Sequence, residues 1–238
     1  MKTINKKNEQ LSFLIEMDEG LANAIRRYVN QIPIFAIDEV EISKNDSPLY
    51  DETIAHRIGL IPIKMDKTIN EKTKLKLSSS EEGIVYSKEF SGGAKPVYEN
   101  IPITSLAKGQ ELELVATFKS GKGSEHSKFS PGLMFYRNAV EIKIDKDCSQ
   151  KVIEACPQKI LTIENNKVVV DDEIKCDFCN ACVEFCAKHG KDSIKILPTK
   201  ELVVTLESFG QLPVEEIFKR AIDALKDDVA NVSKKISK

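Results

Sequence analysis

Cys176-Asp177-Phe178-Cys179-Asn180-Ala181-Cys182-Val183-Glu184-Phe185-Cys186 is the stretch that organises the reading of this chain, and Cys156-Pro157 lies 20 residues before it. All six cysteines of the 238-residue chain fall between Cys148 and Cys186, with 147 residues before them and 52 after them free of cysteine. A disulfide framework spreads its cysteines through a fold, so this grouping points to one local site. In a Cys-x2-Cys-x2-Cys run, three thiolates at two-residue gaps on a curling loop each reach a different iron of a cubane iron–sulfur cluster.

The fourth ligand follows from the same chemistry. In two-cluster ferredoxins the last cysteine of the run serves the other cluster, and the first cluster takes its fourth thiolate from a distant Cys-Pro. The candidate cofactor ligands are therefore Cys156, Cys176, Cys179 and Cys182, holding one [4Fe-4S] cluster, with a [3Fe-4S] cluster as the alternative. A second cluster would need cysteines four, seven and ten residues before Cys156, but Val152, Ser149 and Lys146 stand there. Cys148 is one place out of register and Ala187 replaces the usual Pro after Cys186, leaving Cys148 and Cys186 spare and a disulfide between them open. Two other readings of the thiols stand beside the cluster: a structural zinc site, which usually gathers two separated CxxC knuckles, and reactive thiols that oxidise. Between the ligands, Ile160–Ile163 and Val168–Val170 around Asn165-Asn166 predict a hairpin. Ile194–Leu197 repeats the pattern after Cys186, so residues 146–198 resemble a bacterial-type ferredoxin domain.

The composition excludes several function classes. Lys and Arg total 35 against 37 Asp and Glu, a net charge of −2, without the basic excess of a non-specific nucleic-acid binder. Hydrophobic residues make up 41% and charged residues 30%, as in a globular chain, and no apolar run is long enough to span a membrane. The charged start Met1–Lys7 lacks a following apolar stretch, so no secretory signal is expected and the cytoplasm is the expected location. His56, His126 and His189 have no Ser or Cys beside them in a nucleophile arrangement, and His189 is read as a surface residue although it follows Cys186 by three. Arg26-Arg27 on a helical polar face reads as solvated or paired more readily than as a phosphate contact. With no Gly-rich phosphate loop, no acidic cluster at metal spacing and no paired carboxylates, no catalytic residue is expected in this chain.

Outward from the cysteines the chain reads as α+β. Leu21, Ala24, Ile25, Tyr28 and Val29 share a face of an amphipathic helix over residues 18–29, which Pro33 stops. Ser12–Ile15 predicts the strand before it, and Phe35–Ile42, with Ile37, Val40 and Ile42 apolar, the strand after it. Asp51–Pro62 predicts a short helix capped by Asp51, with Ile54 and Ile58 on one face and Gly59 at its end. The following stretch to about residue 145 is strand-rich, with Leu112, Leu114 and Ala116 alternating, and reads as a small β-rich domain. Leu202–Leu206 predicts a strand. Pro213 then opens a long helix whose apolar positions Val214, Ile217, Phe218, Ala221, Leu225, Val229, Val232 and Ile236 follow helical spacing. A stripe of that length suits a docking surface, although a helix packed on its own sheet has the same periodicity.

Taken together the segments resemble the D-type, α-like subunits of archaeal DNA-directed RNA polymerase, relatives of the bacterial polymerase α subunit and of the third-largest subunit of eukaryotic RNA polymerase II. Four blocks carry the likeness: Gly20–Arg27 with Glu39–Ile42, Asp51–Pro62, Glu125–Gly132, and Glu207–Gly210 with its helix. The resemblance implies a discontinuous α-subunit-like dimerisation domain (1–42 and 199–238), an inserted β-rich domain (43–145) and an inserted ferredoxin-like iron–sulfur domain (146–198). It implies a non-catalytic assembly subunit that pairs through its two amphipathic helices with the small α-like L subunit. That heterodimer would be the platform for the large catalytic subunits, with Asp51–Pro62 and the β-rich insert facing the second-largest subunit and no direct DNA contact. Relatives differ in how many cluster cysteines they carry, so the cluster rests on the local count, and its expected role is structural. The competing reading is a redox protein whose ferredoxin module passes electrons to a partner enzyme.

Overall fold

Residues 1–66, 68–145, 148–190 and 192–236 are described by the computed structural model; Lys146, one position of the second-cluster count, lies outside them. In chain order the elements are β1 (Lys2–Lys6), β2 (Gln10–Glu16), α1 (Glu19–Tyr28), β3 (Pro33–Asn45), α2 (Asp51–Gly59), β4 (Lys74–Ser79), β5 (Gly83–Tyr86), β6 (Ser91–Gly92), β7 (Pro102–Leu106) and β8 (Leu112–Lys122). There follow β9 (Gly132–Ile144), β10 (Leu161–Glu164), β11 (Lys167–Val170), α3 (Ala181–Lys188), β12 (Ile194–Ser208) and α4 (Val214–Ile236). The chain separates into a cysteine-bearing unit of Met1–Lys6, Ser12–Ala22 and Phe135–Thr205, and a larger unit of Lys7–Leu11, Asn23–Met134 and Leu206–Lys238.

The larger unit is built on a four-stranded sheet in the order β3-β8-β4-β6, with a β5-β7 ladder beside it in the chain. In β8, Leu112, Leu114, Ala116 and Phe118 are buried at every second position, as a one-sided sheet requires, and Leu75 and Leu77 do the same in β4. Ile54 and Ile58 of α2 join Ile37 in that core and are wholly inaccessible. The β3–β8 register shifts between Ile37 and Glu39, a bulge that explains why the apolar spacing in β3 jumps from Ile37 to Val40. The bulge residue Asp38 turns its carboxylate to Lys128 at 2.6 Å and Lys119 at 3.9 Å.

Three expectations change in detail. Asp51 does not cap α2: it is the first helical residue, and its carboxylate accepts from Asn45 Nδ2 at 2.7 Å. Tyr50 takes the cap position with no side-chain capping bond. In the first helix, Asp18 does the capping, accepting from the Gly20 N–H at 2.8 Å. Its buried residues are Ala22, Ile25 and the following Val29, whereas Leu21 is 49% exposed, so the covered face is rotated by one position from the predicted one. The predicted strands Ile194–Leu197 and Leu202–Leu206 are one continuous 15-residue strand, β12, running through Pro198.

Gly132 opens β9 where the backbone of Glu207 comes so close that a Cβ would collide with its carbonyl oxygen. Beyond β12, Val214, Ile217 and Ala221 anchor the first half of α4, and Tyr28 donates to Asp228 at 3.0 Å. From Lys226 to Ile236 every residue of α4 is exposed.

The cysteine-bearing unit contains the hairpin β10–β11, in which Leu161 faces Val170 and Glu164 faces Lys167. Its two-residue turn places Asn165 and Asn166 at φ of 48° and 63°, the left-handed pair that Asn tolerates best among non-glycine residues. A sheet in the order β1-β2-β12-β9 supplies the scaffold. Val140, Ile142, Val152, Ile160, Leu161 and Ile194 form an apolar core together with the buried cysteines.

Candidate functional site

Each predicted ligand is delivered by a short element. Cys156 ends the 3₁₀ turn Gln150–Ala155, Cys176 ends the 3₁₀ turn Glu173–Lys175, Cys179 lies in the loop that follows, and Cys182 sits in the first turn of α3. All four line one small cavity with Ile142, Ile160, Leu161 and Ile196. Cys156, Cys176 and Cys182 are buried and Cys179 is exposed. The loops curl through left-handed backbone at Phe178 (φ 59°), Asn180 (φ 59°) and, after Cys156-Pro157, Lys159 (φ 52°). For a bulky residue such as Phe178 this conformation is unfavourable, and it persists only where the surroundings over-determine it.

Hydrogen bonds hold these loops. Asp177 accepts from the Cys179 N–H at 3.3 Å and from Gln158 Nε2 at 3.1 Å, tying the Cys156 and Cys176 segments together. The Gln158 bond keeps the Asp177 carboxyl below the ordinary range. Asp172 caps the second 3₁₀ turn by accepting from the Ile174 N–H at 3.0 Å, and Glu173 accepts from the Ile142 N–H of β9 at 3.2 Å. Arg137, also on β9, donates to the carbonyl of Cys176 at 2.7 Å and to that of Ile174. Spacing along the chain could not reveal these partners.

Burial, followed by the proximity of Cys156 and Cys176, pushes the Cys182 thiol up to about 11 against the opposing pull of the Val183 amide. The other two cysteines lie apart from the cavity lining: Cys186 is one helical turn beyond Cys182, and Cys148 lies beside it, its thiol pushed up to about 11 by burial and by Cys186. The donor set suits a cluster, because soft thiolates are its ligands and the thiols ring a cavity with apolar walls. Among the described residues no three His, Cys, Asp or Glu gather tightly enough to hold a metal ion directly. His189 stacks on Phe185 with ring centroids 4.3 Å apart, and His126 Nδ1 accepts from the Lys128 N–H at 3.2 Å, so both imidazoles have structural partners.

A second feature is an exposed apolar stripe on a helix. α4 carries Val229, Val232 and Ile236 with 60%, 55% and 80% exposure, continuing the register of the buried Ile217 and Ala221. No helix among the described residues is long and apolar enough to cross a membrane.

Comparison with known proteins agrees with this architecture. The family profile of the RNA polymerase Rpb3/RpoA insert domain matches residues 40–135, from the second half of β3 through β8 into the start of β9, and this defines the chain as a mixed α+β protein of the α-subunit type. Over nearly its whole length it is similar to DNA-directed RNA polymerase subunit Rpo3 of Pyrococcus horikoshii, 35% identical with 94% of this chain and 93% of the relative covered. The Rpo3 of Thermococcus kodakarensis is 34% identical with 94% and 92% covered, and the DNA-directed RNA polymerase II subunit rpb3 of Dictyostelium discoideum 26% with 98% and 93%. The chain belongs to the Rpo3 family of DNA-directed RNA polymerase subunits, and is thereby a component of that nucleotidyltransferase.

Proposed function

We propose that this chain is the assembly subunit of its polymerase that pairs with the small α-like L subunit, and that the pair forms the platform for the large catalytic subunits. The observation that carries this reading is the division of α4. Its first half is anchored by Val214, Ile217 and Ala221, while the same apolar register continues into a half whose every residue from Lys226 onward is exposed. A helix that only packed on its own chain would turn polar where the covering ends. Residues 1–42 and 199–238 form the dimerisation domain in this reading, 43–145 the insert and 146–198 the ferredoxin-like domain. The Asp51–Pro62 segment and the insert then face the second-largest subunit.

The same reading gives Cys156, Cys176, Cys179 and Cys182 one [4Fe-4S] cluster, or a [3Fe-4S] cluster if one ligand stays free. The shared cavity, the soft donor set and the left-handed loop residues support it. When bound, the cluster would cross-link segments from Cys156 to Cys182 that are otherwise held by 3₁₀ turns and a few hydrogen bonds, a structural rather than an electron-transfer role. The working location is the cytoplasm.

Isolation of the tagged chain from its native host under anaerobic conditions, with mass spectrometry of its stoichiometric partners, tests the assembly reading. Recovery of the L subunit and the large polymerase subunits is the expected result; recovery of redox enzymes without polymerase overturns it. Iron and inorganic sulfide analysis of the same sample is expected to give four of each per chain, or three irons for the smaller cluster. Stoichiometric zinc without sulfide refutes the cluster.

A further inference from the structure

We infer that Arg137 is a positioning residue for the cysteine site, holding Cys176 in place from strand β9. This rests on the cluster reading only for its consequence; the contacts themselves stand without it. The guanidinium donates to the carbonyls of both Ile174 and Cys176, one inside the 3₁₀ turn and one at its end. A planar fork with several fixed donors suits two carbonyls of one tight turn in a way that a point-like ammonium does not. On the same stretch Glu173 accepts from the Ile142 N–H at 3.2 Å, so the turn that presents Cys176 is fastened to β9 at two points five residues apart along the strand.

The neighbours of Arg137 face elsewhere. Tyr136 donates to the Glu19 carbonyl at 3.3 Å and Asn138 Nδ2 to the Glu19 carboxylate at 2.9 Å, both at the first turn of α1. Alternation along a strand puts residues 136 and 138 on one face and 137 on the other. Three consecutive residues of β9 therefore grip the beginning of a helix and the ligand loop from opposite faces. Arg137 also brings a fixed positive charge to the backbone of a site that binds its cofactor as thiolates, which favours the reduced, more negative state of a cluster.

The test uses the full-length chain with Arg137→Met and Arg137→Lys. Amide hydrogen exchange of residues 174–182 in the cluster-free protein is expected to accelerate by roughly tenfold in Arg137→Met, as the loss of charge-assisted hydrogen bonds implies, and by less in Arg137→Lys. Exchange across β3 and β8 reports that the variants still fold. After anaerobic reconstitution, Arg137→Met is expected to hold less iron and sulfide than the unmodified chain, and what it holds to be reduced at a lower potential, with Arg137→Lys between the two. Unchanged exchange at 174–182 in Arg137→Met overturns the positioning role. A cluster in Arg137→Met with the unmodified content and potential overturns its consequence for the site. If the unmodified chain takes up no iron and sulfide, the cluster reading fails, while the exchange experiment still decides on Arg137.

Discussion

Replacing Val229, Val232 and Ile236 together by Gln separates a docking stripe from a helix that serves only its own fold. The side chains are 60%, 55% and 80% exposed in this chain. Complete burial of a Val or Ile is worth about 1.5–3 kcal/mol, so covering what is still exposed offers about 1–2 kcal/mol per residue. The three together offer about 3–6 kcal/mol, and some is lost to ordering side chains at the interface. A loss of about 2.7 kcal/mol already weakens a complex by about a hundredfold. In the isolated chain the substituted groups are largely in water and Gln is at least as good a helix former as Val, so its stability should change by no more than about 0.5 kcal/mol. Titration calorimetry with the purified L subunit, paired with urea unfolding of each chain alone, reads both quantities. Weakening of about a hundredfold or more with an unchanged unfolding midpoint is expected. Unaltered affinity refutes the docking argument, and a loss of more than about 2 kcal/mol in the isolated chain shows that the stripe was serving its own fold.

Cys179→Ser should abolish or sharply reduce iron and sulfide content, loosening residues 148–190 in hydrogen exchange while leaving the sheet of β3, β8 and β4 protected; retained cluster content counts against that ligand. Gly132→Ala should destabilise the protein by about 1–3 kcal/mol or more in chemical denaturation, because its Cβ would meet the Glu207 carbonyl and neither strand can move freely. The ammonium of Lys128, hydrogen-bonded at 2.6 Å, holds the Asp38 carboxyl below its ordinary range. The folded value is thus lower than the unfolded one, so the stabilisation is complete above about pH 4 and fades as the pH falls through the folded value. Asp38→Asn should then cost up to about 1 kcal/mol at pH 7 and progressively less below pH 4, and a difference that does not shrink with acid would refute the pairing.

Much of the architecture was legible in local pattern. Period-two burial in β8, the Asn165-Asn166 turn and the helical spacing of α4 are all written in consecutive residues, because backbone geometry repeats every two or 3.6 residues. Cysteine spacing likewise singled out four thiols, and those four line one cavity in the structure. The departures arise where neighbours distant in the chain decide. The bulge at Asp38 changes which residues of β3 face inward, and Leu21 is left in water while Ala22, about 100° round the helix, is covered. Asp51 stands inside the helix after Tyr50, and its carboxylate is engaged by Asn45 rather than by the helix's own amides.

The division of α4 into a covered and an uncovered half belongs to this second kind: periodicity records that a face is to be buried, but not by what. Arg137 is the clearest case, since its acceptors lie 37 and 39 residues further along the chain. A hydrogen bond across that separation leaves no spacing to read, and it exists only because folding brings β9 against the turn that presents Cys176. Local chemistry is enough to specify which residue types could bind a cluster and which faces are apolar, whereas the supports that hold a ligand loop depend on tertiary neighbours.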